Sequence, residues 1–241
     1  PVCRVVMSDC GFVYIVTIPK SRYLSSVNFL KTYTPLIMSS KPIFVTGIGT
    51  YVGKTIVSAV LCEQLQADYW KPVQAGDLDA TDSEKVRSLI SNPKTVIHPE
   101  TYLLRLAASP HQSAAEEDIK INTKDFSIPQ TDNQLLIEGA GGLFVPLSND
   151  FLMIDLIRQF EAEVVVVVRN YLGCINHSLL SFNAVKTMRL PFKHVVLNGN
   201  FSEATLDIII RHIPRQVSWS ILPEFENLNP VTVALAPTQI L

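Results

Sequence analysis

The sequence is poor in charge, in paired cysteines and in long apolar runs. Charged residues make up 17% of the 241, and 20 lysines and arginines against 22 aspartates and glutamates leave a net charge of −2. No lysine/arginine block gathers the positive charge, which excludes the electrostatic footprint of a nucleic-acid binder. The four cysteines (Cys3, Cys10, Cys62 and Cys174) form no C-x-x-C pair. They read as free thiols of a reducing cytosol, so the expected location is cytoplasmic. The apolar run Val164–Val168 has strand length, far short of the roughly 18 residues a membrane span needs. Internal repeats and low-complexity linkers are absent too.

What is present describes a folded globular chain. Hydrophobic residues reach 47%, and this length allows one sizeable core or two small ones. Residues 1–37 show no clean helical or alternating period. A secretory signal would want a basic start, an apolar core and small residues at a cleavage site. "GFVYIVTIP" is apolar, but Asp9 precedes it and aromatics crowd it, so no signal is expected. "MSSKPIFVTG" then reads as a natural start, so residues 1–37 are expected to be an extension outside a catalytic domain spanning 38–241. From residue 41 onward, short β-branched runs alternate with amphipathic stretches. "PIFVTG", "DYWKPVQ", "QLLIEGAGG", "AEVVVVVRN", "KHVVLNGN" and "VSWSILPE" read as strands. Between them, "KTIVSAVLCEQL", "FLMIDLIRQFEA" and "NHSLLSFNAVKTM" read as helices. The expected fold is α/β: an open, mostly parallel sheet with helices on both faces.

The first strand and the first helix enclose "GIGTYVGKT", residues 47–55. This has the context of a phosphate-binding loop but one residue more than usual, five between Gly47 and Gly53 instead of four. Glycines let backbone N–H groups close around phosphate oxygens, and the helix N-terminus adds partial positive charge. Lys54 is placed to reach the outer phosphates, and Thr55 offers its hydroxyl to Mg²⁺. Glu138, read as closing the strand "LLIE" before Gly139, Ala140 and Gly141, is a carboxylate suited to the same ion. Lys71 closes the strand "DYWK", where an unpaired buried ammonium would be costly. Asp82 precedes "SEKVRSLI" and reads either as a metal ligand or as that helix's N-cap. Asp77 and Asp79 lie close by in sequence.

The lengthened loop resembles that of the dethiobiotin synthetase family, and the resemblance recurs in order along residues 41–225. "YWKPVQAG", "ATDSEKV", "SPHQSAAEE", "IEGAGGLFVPL", "YLGCINHSLL", "VLNGN" and "ILPEF" are each similar to a family segment. The resemblance implies ATP as co-substrate and Mg²⁺ on Thr55, Asp82 and Glu138. It implies nucleotide contacts from Thr50, Tyr51, Val52, Gly53, Lys54, Thr55, Asp82 and Glu138, and from Gly139, Ala140 and Gly141. Asn198, Pro223, Glu224 and Phe225 would meet the base, although an Asn at a strand end also reads as a turn former.

Lys71 and Lys54 would be catalytic, Lys71 steadying a carbamate and the transferring phosphoryl group. The implied reaction carboxylates 7,8-diaminononanoate with CO₂ and closes its ureido ring. Ala75, Gly173, Cys174, Ile175 and Asn176 would bind that substrate. In the family the 173–176 turn serves the partner subunit of a homodimer. His111 and His177 read as structural, and Cys174 as no nucleophile. Three departures stand out: Gly49 and Tyr51 where some members carry acids, Ala75 where members often carry a hydroxyl, and a tail, "NLNPVTVALAPTQIL", that does not match the family's last helix. The rival reading is an ATPase switch of the partition or septum-site type, which needs a second lysine early in the loop; residues 47–52 contain none. An amidating ligase of the cobyric acid type would need a glutaminase domain, for which this length leaves no room.

Overall fold

The computed structural model describes residues 40–241 and, as backbone alone, two strands at residues 3–9 and 12–18. The chain divides into two units, Pro1–Ser39 and Ser40–Leu241. In the first, β1 (Cys3–Asp9) pairs antiparallel with β2 (Phe12–Ile18), neither of which the sequence pattern assigned. The rest of the extension expected over residues 1–37 lies outside the described residues.

The second unit runs β3 (Ile43–Gly47), α1 (Lys54–Leu65), β4 (Asp68–Trp70), β5 (Val73–Ala75), α2 (Asp82–Leu89), β6 (Ile97–His98), β7 (Tyr102–Leu104) and α3 (Pro110–Glu116). It continues with β8 (Leu135–Gly142), β9 (Pro146–Ser148), β10 (Phe151–Leu152), α4 (Met153–Gln159), β11 (Glu163–Arg169), α5 (Cys174–Thr187), β12 (Phe192–Asn198), α6 (Glu203–His212), β13 (Ser218–Leu222) and α7 (Pro230–Ala234). Seven strands form one sheet in the order β13-β12-β11-β3-β8-β4-β6, and every pairing in it is parallel.

Successive residues of a strand point to opposite faces, so the unbroken burial of Val164–Val168 means that both faces of β11 are covered. That is why these strands read as continuous apolar runs. Burying each such valine contributes on the order of 1.5–3 kcal/mol. The loop strand β3 lies in the middle, between β11 and β8. The carboxyl ends of all three therefore converge on one edge, where ligands of open parallel sheets bind.

Two runs differ from their sequence reading. "DYWKPVQ" is two strands: β4 in the main sheet, and β5, which pairs parallel with β7. Pro72 explains the break, because it has no N–H for a ladder, and its carbonyl accepts from Thr101 and Tyr102 instead. Nor does Glu138 end its strand. β8 runs on to Gly142, but the register slips from Val45↔Glu138 to Gly47↔Gly142, so Glu138 holds the last regular pairing. The seventh strand, β6, escaped the sequence reading because two residues carry no period. It is held by Asp68, which accepts from Val96 N–H at 2.9 Å and from Asn133 Nδ2 at 2.8 Å. The unmatched tail forms α7 and ends against α1, where the Gln64 side chain bonds Thr238 O at 2.8 Å and Ile240 N at 3.1 Å.

His194, on β12 and 3% exposed, has Nδ1 2.6 Å from Ser218 Oγ and Nε2 2.8 Å from Ser220 Oγ of β13. Burial, helped by the charge of Lys193, pushes its pKa from 6.5 down to about 4. The unfolded chain therefore binds a proton more readily, and this contribution to stability is full above pH 6.5 and lost as the pH falls toward 4. Urea unfolding followed from pH 7 to pH 4 is expected to show a falling free energy, at up to about 1.4 kcal/mol per pH unit from this residue. The decline should be shallower in His194→Asn.

Candidate active site

β3 leads through residues 48–53 to the first turn of α1. The turn depends on Gly53, whose φ of +92° is disfavoured for other residues, and a Cβ there would come within 2.1 Å of Asn198 Nδ2. That close approach has a purpose: Asn198 Nδ2 donates to Val52 O at 2.9 Å, clasping the loop to the end of β12. On the other side, Ile48 N–H donates to Val167 O at 3.0 Å. α1 begins with no side-chain cap and no acid in its first turn, which leaves its N-terminal field for an anion.

Beneath the loop, side chains from α1, α2, β8 and the residue after β4 meet. Lys71 Nζ stands 2.6 Å from Asp82 Oδ2 and 3.2 Å from Glu138 Oε1. Thr55 Oγ1 is 2.8 Å from Asp82 Oδ1 and 3.0 Å from Glu138 Oε1, and its single proton serves one at a time. Tyr69 OH donates to the other Glu138 oxygen, Oε2, at 3.0 Å. Lys71, Glu138 and Tyr69 are buried, while the Asp82 side chain keeps 31% exposure.

Burial works against the charge of Lys71, but the charges of Glu138 and Asp82 outweigh it and raise its pKa. Burial likewise opposes the Asp82 carboxylate, and Lys71, with the Thr55 hydroxyl, overcomes it and holds the carboxyl below its usual range. Lys54 differs. Its Nζ donates to Gly49 O at 3.2 Å, and burial pushes its pKa down to about 8 against the pull of Glu138.

The comparisons with known proteins accord with this geometry. The AAA_26 family model, described as an AAA domain, matches residues 41–232. The ATP-dependent dethiobiotin synthetase BioD of Cytophaga hutchinsonii is 45% identical over 197 residues, covering 81% of this chain and 95% of that protein. Its counterpart from Paramagnetospirillum magneticum is 41% identical over 192 residues, covering 80% and 91%. The chain belongs to the dethiobiotin synthetase family, whose members are ATP-dependent ligases. A ParA family ATPase from Chlorobium tepidum, at 13% identity and a TM-score of 0.50, covers 83% of this chain and 100% of that one, a likeness of fold alone.

Of the residues singled out in the sequence, the fold brings Lys54, Thr55, Lys71, Asp82 and Glu138 together and sets Thr50, Tyr51, Val52 and Gly53 above them. A cleft of about 360 Å³ opens beside the loop, lined by Gly49, Thr50, Tyr51, Val52, Arg169, Asn170 and Tyr171. Gly139, Ala140 and Gly141 follow Glu138 along β8. At the cleft's sheet-end side, Gly199 N–H donates to Leu222 O, which places Asn198 near Pro223, Glu224 and Phe225. Glu224 is paired with Arg169 at 2.9 Å.

Ala75 is half-buried on β5. Gly173 and Asn176 are exposed and Cys174 is buried at the start of α5, which also lacks a cap and an early acid. Among the described residues, no hydrogen bond joins this turn to the cluster. His177 meets Tyr171 OH at 2.7 Å and His111 meets Ser109 Oγ at 2.9 Å.

One alternative is settled against its sequence reading. Asp82 is not the N-cap of α2. Thr81 is, accepting from Glu84 N–H while Glu84 accepts from Thr81 N–H. That capping box leaves the Asp82 carboxylate free to face Lys71 and Thr55. Asp77 and Asp79 are exposed.

Sequence reasoning missed Tyr69, Arg169 and Gln74, whose Oε1 accepts from Asp82 N–H at 3.3 Å. In the sequence Tyr69 reads only as a core aromatic of "DYWK", and it is the pairing of β4 with β8 that brings it to Glu138. Thr81→Ala is expected to cost about 1 kcal/mol in urea unfolding, the usual worth of an N-cap. An unchanged midpoint would return the cap to Asp82.

Proposed function

We propose that the protein performs the dethiobiotin synthetase reaction of biotin biosynthesis. One amine of 7,8-diaminononanoate bonds to CO₂ and gives up a proton, forming a carbamate. A carbamate oxygen takes the γ-phosphoryl group of ATP, and the bond to ADP breaks. The second amine then attacks the activated carbonyl carbon, the C–O bond to phosphate breaks, and the five-membered ureido ring closes. The observation that carries this reading is the Lys71–Asp82–Glu138–Thr55 cluster directly under the loop and helix terminus. Phosphoryl transfer asks a protein mainly for positioning and charge neutralisation, and those groups supply both.

In this reading Gly53, Lys54 and the α1 N-terminus hold the outer phosphates, with Thr50, Tyr51 and Val52 lining their approach and Gly139, Ala140 and Gly141 the opposite wall. Asn198, Pro223, Glu224 and Phe225 border the base. Thr55, Asp82 and Glu138 would hold Mg²⁺. The donor set fits: the Asp82 and Glu138 carboxylates converge on the Thr55 hydroxyl, at 2.8 and 3.0 Å. Two carboxylates and a hydroxyl are what Mg²⁺ uses when phosphates complete its shell. When bound it would neutralise charge on the phosphates.

Lys71, the residue that follows the buried strand β4, is the group we assign to the carbamate. Ala75 lies further along the same run, toward the substrate. The loop has no second lysine, which favours a ligase over a partition-type switch. The thiol state of buried Cys62 and Cys174 suits a cytoplasmic setting. No helix among the described residues is long and apolar enough to cross a membrane.

The decisive assay measures ADP release with and without diaminononanoate and bicarbonate. Release should depend on both. Brisk release without either would favour the switch. Lys54→Ala and Lys71→Ala should each lower turnover about 10²–10³-fold, the usual loss when one charge-stabilising donor is removed. Near-normal turnover in Lys71→Ala would sink its assigned role.

We also propose a homodimer in which Gly173, Cys174, Ile175 and Asn176 of one chain hold the substrate carboxylate at the other chain's site. What supports it is the uncapped start of α5, set beside fully exposed Leu172. Asn176→Asp would place like charge against the carboxylate. Refolded together, Asn176→Asp and Lys54→Ala, each inactive alone, should regain up to about a quarter of wild-type activity, because random pairing leaves one intact site in half the dimers. No recovery from heterodimers verified by differential tagging would place both groups in one chain's site.

A further inference from the structure

Glu138 has two oxygens and two sets of neighbours. Oε1 faces Thr55 Oγ1 at 3.0 Å and Lys71 Nζ at 3.2 Å, inside the cluster. Oε2 is turned away and accepts from Tyr69 OH at 3.0 Å. The carboxylate is 1% exposed and the tyrosine 0%, so water is not at hand to replace either partner. A buried carboxylate oxygen without a donor is costly. Losing the phenol would therefore leave Glu138 free to turn Oε2 toward the ammonium and hydroxyl that Oε1 now meets.

Rotation of that kind is opposed by the way the phenol is mounted. β4 and β8 are parallel neighbours with Tyr69 opposite Leu136, two residues before Glu138. The tyrosine side chain spans that offset to reach the carboxylate. Its ring is locked in the core between the sheet and α1, where Val57, Val60 and Leu61 are also fully buried. A phenol, with an ordinary pKa of about 10, is protonated at neutral pH and is the donor in this contact.

We infer that Tyr69 is a positioning residue of the active site: its hydroxyl fixes the rotation of the Glu138 carboxylate, so that Oε1 alone faces the metal and phosphate side. The inference rests on the reading above that Glu138 is a metal ligand. It adds a group that acts through Glu138 and touches neither nucleotide nor ion. Partners that orient a metal-binding carboxylate typically change metal affinity or activity by about 10–100-fold when removed.

The test uses the full chain with Mn²⁺ as probe in the presence of a non-hydrolysable ATP analogue. Bound metal is read by electron paramagnetic resonance, and stability is read separately by urea unfolding. Tyr69→Phe keeps the ring and removes only the hydroxyl. Its Mn²⁺ dissociation constant should rise about tenfold or more. The Mg²⁺ concentration that half-saturates ADP formation should rise in parallel, while affinity for the analogue without metal stays put.

Tyr69→Leu, which also loses the ring's packing, should be less stable than Tyr69→Phe yet bind Mn²⁺ no more weakly. Wild-type Mn²⁺ affinity in Tyr69→Phe, within twofold, would overturn the inference whatever happens to stability. So would an affinity that tracks stability across the two variants. A wild-type protein that binds no Mn²⁺ with the analogue would instead remove the metal reading, and this inference with it.

Discussion

The ammonium of Lys71, 2.6 Å from Asp82 and 3.2 Å from Glu138, ties together the parts of the molecule on which the site depends. Asp82 is the first residue of α2, Glu138 lies in β8, and Lys71 stands where β4 gives way to Pro72. Without the ammonium, two carboxylates would share the Thr55 hydroxyl with no cation between them. Breaking a buried pair of this kind commonly costs about 3–5 kcal/mol. The partial exposure of Asp82 lets water relieve some of that here. The pair is costly to assemble as well as to break, which argues for a role beyond stability.

The surroundings place these charges with little freedom. Pro72 ends the β4 ladder just after Lys71, so the lysine leaves the sheet at its carboxyl edge. Thr81 and Glu84 cap α2 between themselves, and Gln74 holds the Asp82 amide, so the Asp82 side chain has no capping duty. Asn198 clasps the loop by the Val52 carbonyl, which only a glycine at position 53 allows. Each is an ordinary local device, and together they aim one lysine, two carboxylates and a hydroxyl at the space under a helix N-terminus.

Asn198 has a structural duty at the end of β12, where its Nδ2 holds the Val52 carbonyl at 2.9 Å. Tyr51, 88% exposed at a φ of +58°, and Gly49 line the cleft beside Arg169 and Tyr171.

Six of the seven sheet strands, the phosphate-type loop and the helix after it were legible in the sequence, because buried parallel strands are written as β-branched runs and the loop as spaced glycines. Lys54, Thr55, Lys71 and Glu138 were legible for a related reason: each lies at or near the boundary between an apolar run and a glycine or proline. The sequence also carried the family, through motifs in fixed order. It could not place the two-residue strand β6, which has no period of its own and exists because Asp68 and Asn133 hold it. Nor could it show that Asp82 is not the cap of α2, since Asp and Thr both serve and only the extended backbone at position 81 makes Thr81 the cap. Tyr69 reads as one more core aromatic. Its meeting with Glu138 depends on the pairing of β4 with β8, a contact between residues 69 positions apart that only the folded sheet creates.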